Sequence, residues 1–179
     1  GHALSPKLNS ELNYPYLLLL ISGGHTQFLS VQGLGNYKRL GTTIDDAVGE
    51  AFDKTAKLLG IEFPGGPQIE VYAKKGDPNK YELPKPIFYK GGCNLSFAGL
   101  KTAVLKISKQ IKTDQEKYDL AASFQKTIEE ILYKKSMIAF EEFKKMNPDN
   151  KNKFVVAGGV AANKKIREIL TNLCVEKGF

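Results

Sequence analysis

The sequence is poor in the residues from which ready-made catalytic and metal sites are assembled. His2 and His25 are its only histidines, which excludes a site built from several imidazoles. Cys93 and Cys174 are its only cysteines, lie far apart and fit no CxxC or disulfide-framework spacing, so they read as free thiols of a reducing compartment. No Ser-His-Asp or Cys-His set can be assembled, and neither GxGxxG nor a Walker lysine pattern occurs. Arginine is confined to Arg39 and Arg167, so the net charge of +7 comes almost wholly from lysine. A lysine-rich surface favours approach to a polyanion such as RNA, and it also describes solvated helix faces. Scarce arginine argues against a dedicated bidentate phosphate-reading patch. The longest apolar run, Tyr16–Ile21, is far short of the ~20 residues of a membrane span. The start, Gly1-His2-Ala-Leu-Ser-Pro-Lys, does not read as a signal peptide.

What is present is ordinary for a globular protein: 179 residues, 42% hydrophobic and 25% charged, enough for one domain or two small lobes. Residues 3–15 read as a connecting segment. Two strand-like runs, 17–21 and 28–31, meet at Ser22-Gly23-Gly24-His25-Thr26. Paired glycines let the backbone approach a ligand, and Ser22, His25 and Thr26 add hydroxyls and an imidazole beside free N–H groups. Such a tip suits an anion or phosphate; a polar turn between buried strands is the plainer alternative. Residues 33–41 read as a loop.

The stretch 42–60 has helical periodicity, with Ile44, Val48, Phe52 and Leu59 on one stripe, Thr43 or Asp45 as cap and Gly60 as stop. Asp46, Gly49, Glu50 and Asp53 share another face. Like charges at that spacing repel, so the face reads either as one that meets hydroxyls, ammonium groups or a metal, or as a solvated acidic first turn. Gly49 inside the helix costs ~1 kcal/mol against alanine and opens room for close approach. Pro64-Gly-Gly-Pro67 reads as a turn into a short helix, 68–75, with Glu70 in its first turn. The segment 76–92 reads as a surface crossing, 94–103 as strand-like before a helix over 104–111, and 119–146 as a structural helix with Leu120, Phe124, Ile128, Ile131, Ile138 and Phe143 in its core stripe. A short strand, 153–157, then turns through Gly158-Gly159-Val160-Ala161-Ala162-Asn163 into a last helix, 164–177, a weak nucleotide-binding signal.

Six stretches, in order, resemble one family closely: Gly1-His2-Ala-Leu-Ser-Pro6, Ser22-Gly-Gly-His-Thr-Gln27, Asp45 through Gly60, Pro64-Gly-Gly-Pro67, Leu95-Ser-Phe-Ala-Gly-Leu-Lys-Thr-Ala103 and Ala157-Gly-Gly-Val-Ala-Ala-Asn163. The family is that of the tRNA N6-adenosine threonylcarbamoyltransferases, formerly O-sialoglycoprotein endopeptidases. The resemblance implies an α/β, actin/Hsp70/sugar-kinase-like (ASKHA) fold. Residues 1–15 are expected to carry a remnant of the metal motif, and 16–179 to be the central part of the transferase domain. The implied reaction moves threonylcarbamoyl from threonylcarbamoyl-AMP to N6 of the adenosine 3′ to the anticodon in tRNAs reading ANN codons. Donor-binding positions would fall on Ile21, Ser22, Gly23, Gly24, His25, Asp53, Gly66, Glu70 and Asn163. His2 would be one of two metal histidines holding an iron(II) or zinc ion. Implied partners are tRNA, threonylcarbamoyl-AMP or ATP, and TsaB- and TsaE-like proteins of the transfer complex, with no membrane. The location implied is cytoplasmic, with mitochondrial as the alternative. Most of the family's first lobe and its C-terminal end are not in the sequence, so the chain is expected to be an inactive fragment, since one histidine binds such metals poorly. A non-catalytic relative and a small-metabolite kinase of the same fold are the rival expectations. The Asp-x-Gly-Thr phosphate loop of such kinases does not occur in the sequence.

Overall fold

The computed structural model describes residues 12–179; His2 and the rest of 1–11 lie outside the described residues. The fold is organised around β1 (Tyr16–Ile21), six residues that are all buried. A strand apolar on both faces belongs in the middle of a sheet. It pairs antiparallel with β2 (Thr26–Gly33), Leu19 opposite Phe28. On its other side it runs parallel to β4 (Phe154–Ala157), Leu19 opposite Val156. With β3 (Asn36–Thr42) at the far edge the order is β3-β2-β1-β4.

Alternate residues of β1 serve two layers. Leu17, Leu19 and Ile21, with Phe28, face a helical layer formed by α1 (Val48–Leu58), α2 (Gly65–Ala73), α3 (Ala98–Ser108), α4 (Asp114–Met146) and α5 (Lys164–Lys177). Tyr16, Leu18, Leu29 and Val31 form a smaller cluster on the opposite face, with Leu12, Tyr14, Val155 and Ala157 against it. The result is a mixed α/β arrangement. In the helical layer Phe52 of α1 meets Phe124 of α4 edge to face, ring centroids 5.1 Å apart.

Several expected boundaries move. Residues 33–41, read as a loop, form a second hairpin: β2 runs on to Gly33, the chain turns at Gly35 (φ 68°), and β3 follows. As an edge strand exposing Tyr37, Lys38 and Arg39, β3 lacks the apolar alternation that marks a strand. The helix read over 42–60 begins only at Val48, and Ile44, placed on its core stripe, is 61% exposed. Neither Thr43 nor Asp45 caps it. Thr26, on β2, accepts the Val48 N–H at 2.8 Å. Asp45 instead serves α3: its Oδ1 accepts the Phe97 and Ala98 N–H groups at 2.8 and 3.2 Å, and its Oδ2 accepts the Ser96 hydroxyl at 2.5 Å. These caps come from residues distant in sequence, which local patterning cannot reveal. Asp45→Ala is expected to cost about 1–2 kcal/mol, read as a lower urea midpoint with unchanged slope.

α2 starts at Gly65 and α3 at Ala98, both earlier than expected; of the strand-like residues before α3 only a bridge from Leu95 to Thr43 remains. α4 starts at Asp114 behind a capping box of Thr113 and Glu116. Its stripe is buried as expected except for Ile138, which is half-buried. Lys135 on the same helix is fully buried, its Nζ donating to the Lys90 and Gly92 carbonyls at 2.8 and 3.1 Å. That contact, Leu83 in the core and the Asp77 N–H on Asp119 Oδ1 at 2.8 Å anchor the crossing segment. Cys93 and Cys174 are free, and burial pushes the Cys93 thiol up to about 11.

Candidate functional site

The C-terminal ends of parallel strands are where open α/β sheets place ligands. Here β1 and β4 both end in glycine turns. Gly158 has φ 105° and ψ 167°, a region closed to side chains, and a Cβ there would lie 2.2 Å from the Ile21 carbonyl oxygen. Gly49 of α1 is as constrained: its N–H donates to the Ser22 carbonyl at 3.1 Å, and a Cβ would lie 2.6 Å from that oxygen. The close approach expected of Gly49 is therefore to the turn's backbone. Within the turn, Ser22 N–H donates to the His25 carbonyl at 2.8 Å, and Ser22 Oγ accepts from His25 N–H at 3.0 Å and Gly24 N–H at 3.4 Å. Two N–H groups expected to await an anion are thus held by Ser22. Thr26, read as a tip hydroxyl, is buried beneath α1.

Beside this junction lies a cavity of about 390 Å³. Phe52, Phe63, Pro64 and Val160 give it apolar walls, Asp53, Glu70 and Asn163 supply polar side chains, and Gly23, Gly66 and Gly159 present backbone. Five of the expected donor positions, Gly23, Asp53, Gly66, Glu70 and Asn163, thus meet in one cavity although they are spread over 140 positions of sequence. Ile21, Ser22, Gly24 and His25 do not line it. Ile21 is in the core, and the exposed His25 stands on the turn. A second cavity, about 460 Å³ along β4 and α5, has no carboxylate in its lining. Among the described residues no three His, Cys, Asp or Glu side chains converge as a metal site.

The polar groups of the first cavity are partly committed. Glu70 Oε1 accepts the Lys164 N–H at 2.8 Å, a carboxylate on the first turn of α5. Asn163 Oδ1 accepts the Ile166 N–H at 3.0 Å, capping α5. The same amide pairs reciprocally with Gln125 of α4, at 3.1 and 3.0 Å. Gln125 is a buried polar residue that sequence reasoning missed, because nothing distinguishes it from the polar face of a long helix until the partner is seen.

The expected acidic face divides into two parts. Asp46 precedes α1 and is held by Lys101 at 2.8 Å and Lys54 at 3.4 Å; Glu50 meets Lys54 at 2.6 Å. Only Asp53 opens on the cavity, and among the described residues no lysine or arginine comes within 4.0 Å of it. The Lys101 hydrogen bond holds the Asp46 carboxyl below the usual carboxylate range against the opposing effect of burial, with Lys54 helping. A carboxyl lowered on folding stabilises fully above its unfolded value, about 3.9, and loses that contribution as pH falls through the folded one. Asp46→Asn is therefore expected to lower stability at neutral pH. The gap to the parent should narrow below about pH 4 in urea titrations across pH.

A family model described as "tRNA N6-adenosine threonylcarbamoyltransferase" matches residues 1–179. The chain is 94% identical over 179 residues to the curated protein of that name from Pelagibacter ubique (strain HTCC1062), covering all of this chain and 50% of the relative. It is 56% identical over 181 residues to that of Rickettsia bellii (strain OSU 85-389), and 56% over 183 residues to that of Rickettsia massiliae (strain Mtu5). In both it covers all of this chain and 53% of the relative, so the chain spans about half the length of the curated relatives it matches.

Proposed function

Because this chain belongs to the tRNA N6-adenosine threonylcarbamoyltransferase family, we propose that it forms the donor-binding wall of an enzyme transferring threonylcarbamoyl from threonylcarbamoyl-AMP to N6 of the tRNA adenosine 3′ to the anticodon. The observation that carries the reading is the meeting of Gly23, Asp53, Gly66, Glu70 and Asn163 in one cavity of about 390 Å³. In this reading the chain is the central part, 16–179, of an actin/Hsp70/sugar-kinase-like fold, with 1–15 as a connecting segment.

The adenine ring fits the apolar wall of Phe52, Phe63, Pro64 and Val160. Asp53, with no cationic partner among the described residues, accepts hydrogen bonds from the ribose hydroxyls. The Gly23 N–H, which has no partner within the described residues, and the Gly159 turn face the phosphate. Glu70 and Asn163 act from fixed positions, locked onto the start of α5. Ile21, Ser22, Gly24 and His25 act by shaping the turn that carries Gly23. The N6 amine attacks the carbamoyl carbon, the new C–N bond forms as the carbon–oxygen bond to phosphate breaks, AMP leaves, and N6 loses a proton. The wall's part is to hold the leaving phosphate and fix the carbonyl in line with the amine. The iron or zinc implied for the family finds no ligand set among the described residues.

The test is to express the full gene that contains this chain in a strain lacking the modification, together with the TsaB- and TsaE-like partners, and to digest the tRNA for mass spectrometry. Threonylcarbamoyladenosine is expected; its absence with the protein soluble and abundant would favour a non-catalytic relative. Phosphorylation of a small metabolite from labelled ATP would favour the kinase.

A further inference from the structure

Charge is distributed unevenly along the chain. From 83 to 113 there is no aspartate or glutamate, and six lysines: Lys85, Lys90, Lys101, Lys106, Lys109 and Lys112. Lys85 is bound to Glu130 and Lys101 to Asp46. Lys90, Lys106 and Lys109 are exposed, and no carboxylate lies within 4.0 Å of any of them among the described residues. Lys106 and Lys109 share one face at the end of α3, and Lys90 stands on the loop that precedes the helix. Pro86 packs on Gly99 near the start of α3, where a Cβ would come within 3.2 Å of its ring. The stripe from Gly99 at helical spacing runs through Thr102 to Lys106 and Lys109, roughly 10–15 Å along the axis. The loop before it is held from beneath by buried Lys135, whose Nζ binds the Lys90 and Gly92 carbonyls and so presents Lys90 outward. On that loop Tyr89 is 91% exposed and meets Phe88 edge to face, centroids 4.9 Å apart. An exposed tyrosine among unpaired lysines is the pairing that binds unstacked bases and phosphates together.

We propose that the acid-free stretch 83–113 forms an RNA-docking face, on which Lys90, Lys106 and Lys109 meet tRNA phosphates and Tyr89 stacks on an unpaired base. This deepens the reading of the chain as part of a tRNA-modifying enzyme and rests on it for the choice of RNA. The face joins the donor cavity through rigid contacts. Asp45 caps α3, Lys101 ties α3 to Asp46, and α1, which follows Asp46, carries Gly49 against the turn at Ser22. RNA bound along α3 would lie on the helix packed against α1, which supplies Phe52 and Asp53 to the donor cavity.

The experiment is fluorescence anisotropy of labelled unmodified tRNA with the 179-residue chain over a range of salt. The triple variant Lys90→Glu/Lys106→Glu/Lys109→Glu is compared with Lys57→Glu/Lys145→Glu/Lys151→Glu, which changes net charge equally elsewhere. The first is expected to raise Kd at least ~10-fold near 0.1 M salt and to flatten the log–log salt slope by roughly 2–3, with the control triple much closer to the parent. Tyr89→Ala should weaken binding to an anticodon stem-loop and leave binding to a plain duplex unchanged. Equal effects of the two triples, no tRNA binding by the parent, or equally tight binding of polyglutamate would each overturn the proposal. If the chain binds tRNA through this face but the full gene that contains it yields no threonylcarbamoyladenosine in cells, the transferase reading alone is overturned. If the full gene yields the nucleoside, and keeps yielding it with the triple substitution while the chain's tRNA affinity is unchanged, the docking face alone is overturned.

Discussion

Alanine at Gly158 is expected to lower the melting temperature by roughly 6–12 °C, the consequence of about 3 kcal/mol lost in a domain of this size. Two costs add. The φ of 105° with ψ 167° is essentially barred to residues with a side chain, and the new Cβ would meet the Ile21 carbonyl oxygen at 2.2 Å. The parallel neighbours β1 and β4 would have to separate at the end that carries both glycine turns, so donor binding should fall with stability. Gly159→Ala is the control. It sits one residue on, and a Cβ there would meet nothing within 4 Å, so it should change the melting temperature little. Differential scanning calorimetry of the two variants checks the contrast.

Asn163→Ala is the second large effect, expected at about 2–4 kcal/mol in urea denaturation. The substitution removes the cap of α5 and takes both Asn163 contacts from the buried Gln125 amide, whose oxygen loses its donor while its nitrogen keeps Glu129 Oε1 at 3.1 Å. Asn163→Asp separates the two contributions. Its carboxylate still accepts the Ile166 N–H and suits a helix N-terminus, but it can no longer donate to Gln125, so it should recover only part of the loss. A double-mutant cycle with Gln125→Ala should give a coupling of about 1–2 kcal/mol; additive losses would mean that the reciprocal amide pair contributes nothing.

Much of the scaffold was legible because its signals are local. The apolar run 16–21, the stripe Leu120, Phe124, Ile128 and Ile131, and the Gly-Gly punctuation of two turns depend on near neighbours. The capping box of Thr113 and Glu116 is equally local, and it starts α4 at Asp114, five residues before the apolar periodicity that begins at 119. What could not be read were relations across the chain. Thr26 and Asp45 looked like a ligand hydroxyl and a local cap, yet each caps a helix begun by residues far from it in sequence. The acidic residues Asp46, Glu50 and Asp53 looked alike at their spacing; only the positions of Lys54 and Lys101 show that two are neutralised and one is not. The candidate site was legible through family likeness, and its convergence on one cavity became visible only in the fold.

The most direct measurement for the donor-wall account is calorimetric titration of a hydrolytically stable threonylcarbamoyl-AMP analogue into the parent, Asp53→Ala and Asp46→Asn proteins. Hydrogen bonds to a charged acceptor are worth about 1.5–3 kcal/mol, so Asp53→Ala should raise Kd by roughly 10-fold or more. Asp46→Asn, outside the cavity, should leave it within about two-fold of the parent. The same affinity for the parent and Asp53→Ala would contradict the account.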